Sequence, residues 1–155
     1  MNAEKLKQLA KDLRKQPPRS PHDKLGGFVI AARSLDKCRA FLLGINGEYN
    51  FQPCSLSSFL WEFTGVTADQ FKEFVGTGAG DEEVARWLRE HSKVKDALTI
   101  IKWNNQLKDR RISELPDHYQ QYYEEYVPKF CPHPIAFASS STCTTMRKGD
   151  CDESH

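Results

Sequence analysis

No apolar run in this chain of 155 residues approaches the roughly 18 consecutive residues needed to cross a bilayer. The N-terminal segment alternates Lys and Asp with Leu6, Leu9 and Leu13, where a secretory leader would carry a continuous apolar stretch. The expectation is a cytoplasmic protein with no membrane association. Cysteine is sparse and odd in number: Cys38, Cys54, Cys131, Cys143 and Cys151 lack the dense, regular spacing of a secreted disulfide framework, so reduced thiols are expected. Paired C-x-x-C units are missing. Cys131, His133, Cys143 and Cys151 would make an irregular zinc set, and His22, His91 and His118 lack H-x-x-x-H spacing, so no metal is expected. Gly76-Thr-Gly-Ala-Gly80 has no Lys-Ser/Thr after it and no strand before it, which excludes a P-loop; no cofactor is expected.

Net charge is also small. A formal +1 and a pI near 7.7 do not suit a strong nucleic-acid binder, although the first 50 residues are basic, with ten Lys/Arg against five Asp/Glu. Lys5, Lys7, Lys11, Arg14, Lys15 and Arg19 lie there, but nucleic acid is not the expected partner.

What is present argues for a folded helical domain. Nine Phe, five Tyr and three Trp supply core material, and the length suits one domain. Asn2 is placed to cap a first helix that Gln16-Pro17-Pro18 stops. Ser20, Pro21 and Asp23 open a helical turn. Leu25 to Gly44 reads as one helix with a Gly44 cap, interrupted or closely approached at Gly26-Gly27. Residues 45–53 read as an ordered loop. Further helices are expected from Ser55 to a Gly65 cap, from the Thr67/Gln70 capping box to Gly76, from Asp81, and from about Asp96 to Lys108. Tyr119, Tyr122, Tyr123 and Tyr126 form a stripe at helical spacing. The expected fold is all-α: a compact orthogonal bundle of six or seven short helices, with an ordered loop after the second helix and an irregular C-terminal tail. Residues 1–130 form the single domain in this reading, and 131–155 an extended or disordered tail.

The chemistry-bearing residues gather around the second helix. Arg33, Asp36, Lys37 and Arg39 interrupt an otherwise apolar run. Two readings stand. In one they are a solvated ion cluster of little energetic weight. In the other the fold keeps them partly buried, and Arg33 or Arg39 offers a planar fork to a carboxylate or phosphate. Arg19 before the helix, and Glu48 with Tyr49 after it, would join the same pocket if both loops return to the helix. The candidate ligand-binding set is therefore Arg19, Arg33, Asp36, Lys37, Arg39, Glu48 and Tyr49.

Arg19-Ser-Pro, Leu25-Gly-Gly-Phe, Leu35-Asp-Lys-Cys-Arg-Ala40, Gly47-Glu-Tyr, the Phe59 to Gly65 segment and Asp81-Glu-Glu-Val carry a resemblance. Over roughly residues 5–110 the chain resembles the bacterial family of small proteins called domain of unknown function 5069. The resemblance implies a bacterial, intracellular protein and assigns no activity, cofactor or partner. Relatives tend to have Ala where this chain has Cys38, which implies that this thiol is not the family's working group. The preferred expectation is a noncatalytic module that binds a small anionic ligand or a protein partner through the charged helix face. An enzyme acting on a carboxylate- or phosphate-bearing small molecule with an Asp/Lys/Glu cluster is one alternative. A self-associating structural protein, a homodimer with tyrosines at its interface, is the other.

Overall fold

A computed structural model of the chain describes residues 1–109. In chain order it contains α1 (Ala3–Leu9), a two-stranded hairpin of β1 (Lys24–Leu25) and β2 (Phe28–Val29), then α2 (Ala31–Leu43), α3 (Ser55–Thr64), α4 (Ala68–Gly76), α5 (Asp81–His91) and α6 (Ala97–Asp109). The fold is thus mostly helical, and none of the described helices is long and apolar enough to cross a membrane. Two units divide the chain, Met1–Lys102 and a second beginning at Trp103. The elements from α1 to α5 belong to the first. The expected tyrosine stripe, the 131–155 tail and the boundary at residue 130 lie outside the described residues.

Local chemistry accounts for several helix ends. The Asn2 side chain accepts from the Lys5 amide and caps α1. Thr67 and Gln70 form a reciprocal capping box on α4, each side chain accepting from the other residue's amide at 3.1 Å. Gly44 and Gly65 take left-handed conformations that close α2 and α3. Residues 44–54 form the ordered loop, with no strand in it.

Two expectations need correction. The helix expected from Leu25 begins at Ala31. Gly26 and Gly27, at φ 64° and 90°, make a two-residue turn that pairs Lys24 with Val29 and Leu25 with Phe28. A hairpin turn with positive φ at both central positions demands this chemistry, and it won over the helical periodicity of the run. Ile30 joins hairpin to helix at φ 74°, unusual for a β-branched residue. Its amide donates to the Pro21 carbonyl at 2.8 Å, and its side chain is buried, which holds the strained junction. The first helix also stops early, at Leu9, because the Leu13 amide donates to the Ile45 carbonyl across the fold.

All ten residues from Ala31 to Ala40 are buried, so α2 is the central element, packed by α1, α3, α4 and β1. Beside it lies an aromatic cluster. Phe51, at 1% exposure, meets Phe41, Trp61 and Phe71 at centroid distances of 6.2–6.4 Å, and Phe71 leads on to Trp87. Burial of one such ring stabilises by roughly 1.5–3 kcal/mol. Phe51 thereby pins the 44–54 loop against the helices and sets the positions of Tyr49 and Cys54.

Gly26 distinguishes a turn requirement from a packing requirement. A Cβ there would lie 2.9 Å from the Ala85 carbonyl oxygen, whereas one on Gly27 would meet nothing within 4 Å. Both Gly→Ala changes incur the left-handed backbone cost of about 1–2 kcal/mol. Gly26→Ala should cost clearly more than Gly27→Ala in urea denaturation. Equal losses would mean that the turn, and not the approach to α5, governs the position.

Candidate functional site

Four ionisable side chains enter the core on α2. Arg33, Asp36, Lys37 and Arg39 are between 2% and 5% exposed, which removes the solvated-cluster reading. At about 100° per residue, Asp36 and Arg39 turn to one flank of the helix, and Arg33 and Lys37 to the other. The two flanks have different chemistry.

On the first flank the charges are paired with one another. The Asp36 carboxylate accepts from the Arg19 backbone amide at 2.8 Å, from its Nε at 3.1 Å and from its Nη2 at 3.0 Å. Lys11 Nζ lies 3.9 Å from the same group. Arg19 Nη1 reaches Asp81 at 2.9 Å, and Arg39 Nη1 reaches the other Asp81 oxygen at 2.8 Å. Arg39 also donates to the Ala79 carbonyl at 3.0 Å. Its Nε has no hydrogen-bond partner among the described residues. Burial disfavours the Arg19 charge, but Asp36 and Asp81 outweigh it and raise the guanidinium pKa. The same balance holds Asp81 below the usual carboxylate value: burial raises it, and Arg39 with Arg19 lowers it further. This chain ties the 17–20 loop, α2 and the N-terminus of α5 together. A buried carboxylate is tolerable only with such donors, and loss of one partner in a pair of this kind typically costs about 3–5 kcal/mol.

On the second flank Lys37 points at sulfur. Its Nζ donates to Cys54 Sγ at 3.0 Å. Cys54 is half-buried and immediately precedes α3, where helix amides favour negative charge. The Ser57 hydroxyl lies 2.8 Å from that of Ser34, so the second flank also carries a buried hydroxyl pair. Burial alone would raise the Cys54 pKa, but the Lys37 ammonium and the Ser57 amide and hydroxyl outweigh it and bring the thiol down to about 7. Lys37 is itself lowered, by burial first, with Cys54 opposing and Arg33 adding. Cys38, on the same helix, shows what burial does without such a partner: its thiol is pushed up to about 12. Arg33 donates from Nη1 to the Arg19 carbonyl at 3.2 Å and stands 5.6 Å from the centroid of the Tyr49 ring.

Of the expected residues, Arg19, Asp36 and Arg39 join in the ion network, Arg33 meets Tyr49, and Lys37 meets Cys54. Glu48 is exposed and makes no hydrogen bond or ion pair among the described residues. Sequence reasoning missed Asp81, which it treated only as a helix start, and the Ser34/Ser57 pair. It also missed Cys54, for which a signal existed: a cysteine directly before a helix beginning at Ser55. Among the described residues no group of three or more His, Cys, Asp or Glu could hold a metal ion. The tail cysteines and His133 lie outside them.

A family model described as a domain of unknown function, DUF5069, matches residues 15–154. No curated protein matches the chain.

The thiol shift has a consequence for stability. Between pH 7 and 9 the unfolded thiol, with its ordinary value of 9.0, keeps a proton that the native one has released. The native state binds fewer protons, so this contribution is complete above pH 9 and is lost as pH falls through 7. Denaturant unfolding at a series of pH values should find the wild type gaining on the order of 1–2 kcal/mol over Cys54→Ser across that window. Parallel curves would refute a native thiolate.

Proposed function

The chain belongs to the DUF5069 family, and from that premise we propose that it is a noncatalytic module binding a small anionic ligand at the Arg33/Lys37 flank of α2. One observation carries the reading. Lys37 is a cation at 5% exposure that spends one of its three N–H donors on the Cys54 sulfur and, among the described residues, none on a carboxylate. A buried ammonium with donors in reserve is suited to a carboxylate or phosphate oxygen. Arg33, one helical turn earlier, adds positive potential, and Tyr49 forms a wall beside it. The first flank supplies rigidity: Asp36, held by three donors of Arg19, is positioned as a structural anion and not as a proton acceptor for substrate. That weakens the catalytic alternative built on Asp36 and Glu48.

In this reading the scaffold is a compact orthogonal bundle, the protein is bacterial and cytoplasmic, and no cofactor is required. The ligand is a small anion. Docking of a protein partner or a second copy has no comparable observation behind it.

Thermal unfolding in inorganic phosphate, pyrophosphate and citrate, against chloride at equal ionic strength, tests the reading. At least one anion should raise the melting temperature of the wild type in a saturable way, equivalent to about 2.7 kcal/mol at a hundredfold excess over Kd. Lys37→Met, which removes the ammonium and keeps an apolar chain of similar volume, should lose the response, whatever it does to the ligand-free melting temperature. Equal responses in both proteins would remove the site.

A further inference from the structure

We propose that Cys54 is a site of oxidation by hydroperoxides, and that Lys37 captures the oxidised sulfur in a sulfur–nitrogen bond. Cys54 is not an isolated thiol: an ammonium more than nine-tenths buried is aimed at its Sγ from 3.0 Å, and among the described residues no carboxylate competes for that ammonium. Cys54 is the less buried of the two described cysteines. A thiolate is the reactive form toward peroxide, and an adjacent cation together with a helix N-terminus favours it.

The chemistry balances with hydrogen peroxide as the oxidant. The Cys54 thiolate attacks one peroxide oxygen; the S–O bond forms and the O–O bond breaks. Sulfur is oxidised by two electrons and the peroxide is reduced. The departing hydroxide takes a proton from the Lys37 ammonium and leaves as water, so the products are a Cys54 sulfenic acid and a neutral Lys37 amine. With the thiolate gone, the burial that already lowers the Lys37 pKa is no longer opposed by the sulfur, which favours the neutral amine. Its lone pair then attacks sulfur. The S–N bond forms, the S–O bond breaks, and the hydroxyl departs with an amine proton as a second water. Sulfenic acids are known to condense with nitrogen in this manner. The product ties α2 to the start of α3 and abolishes the Lys37 charge. It needs no bound anion, so this chemistry and the anion-binding reading can fail separately.

The test is peptide-resolved mass spectrometry of the full chain after stoichiometric hydrogen peroxide, digested without reductant. Cys54 should be consumed roughly tenfold or more faster than buried Cys38. Its peptide should be joined to that of Lys37, lighter by two hydrogens than the two together, and released by dithiothreitol. In Lys37→Arg, which keeps a cation but lacks a nucleophilic amine, Cys54 should remain oxidisable and be trapped by dimedone instead. Three results would overturn the proposal: Cys54 reacting no faster than Cys38, wild-type Cys54 giving only a dimedone adduct, or Cys54 pairing with Cys131, Cys143 or Cys151 in place of Lys37.

Discussion

Four ionisable side chains on the most buried of the described helices impose the constraint on which everything else depends. A charge with almost no access to water must find opposite charge or hydrogen-bond partners inside the protein, or give up its ionisation. Asp36 meets this requirement through Arg19, and Arg39 through Asp81, with Arg19 bridging the two carboxylates. The helix can therefore be central only if the 17–20 loop and the start of α5 close on it. The hairpin turn contributes to the same closure: Gly26 brings the chain against the Ala85 carbonyl, one turn into α5. The ion network is in this sense architecture and not a binding surface.

Lys37 meets the requirement differently. Its partner is a sulfur that becomes a good partner only by losing a proton, so the pair's stability and the thiol's acidity are one quantity seen from two sides. The geometry comes from apolar packing elsewhere. Phe51 sits in the aromatic cluster with Trp61 and Phe71, and three residues later the chain delivers Cys54 to the head of α3. A hydrophobic anchor thus places a reactive polar group, and the contrast with Cys38 on α2 shows how far placement governs thiol chemistry.

Much of this was legible in the residues alone, where local chemistry decides the outcome. The Thr67/Gln70 capping box, the Asn2 cap and the Gly44 and Gly65 termini are local signals and mark the helix ends they predict. The charged residues of α2 stand out in the sequence as a group, and the structure has Arg19 against Asp36 and Tyr49 beside Arg33. The expectation failed where long-range contacts decide. Gly26-Gly27 lies within a run of helical periodicity, and its hairpin is settled by pairing across the turn and by α5, 59 residues later at Ala85. Whether Arg33, Asp36, Lys37 and Arg39 are wet or dry depends on what surrounds α2, which periodicity does not encode. Asp81 is 42 residues from Arg39, and nothing local announces their pairing. Glu48, adjacent to Tyr49, stays exposed because neighbours in a loop turn to different sides.

The central claim is that the buried ammonium of Lys37 is matched by a Cys54 thiolate. Rates of Cys54 alkylation by iodoacetamide, followed by peptide mass spectrometry from pH 5.5 to 10 in the wild type and in Lys37→Met, test it directly. The account predicts a midpoint near the thiol's value of about 7 in the wild type, moving up by at least one pH unit when the ammonium is removed. A wild-type midpoint near 9, or one that Lys37→Met leaves in place, would contradict it.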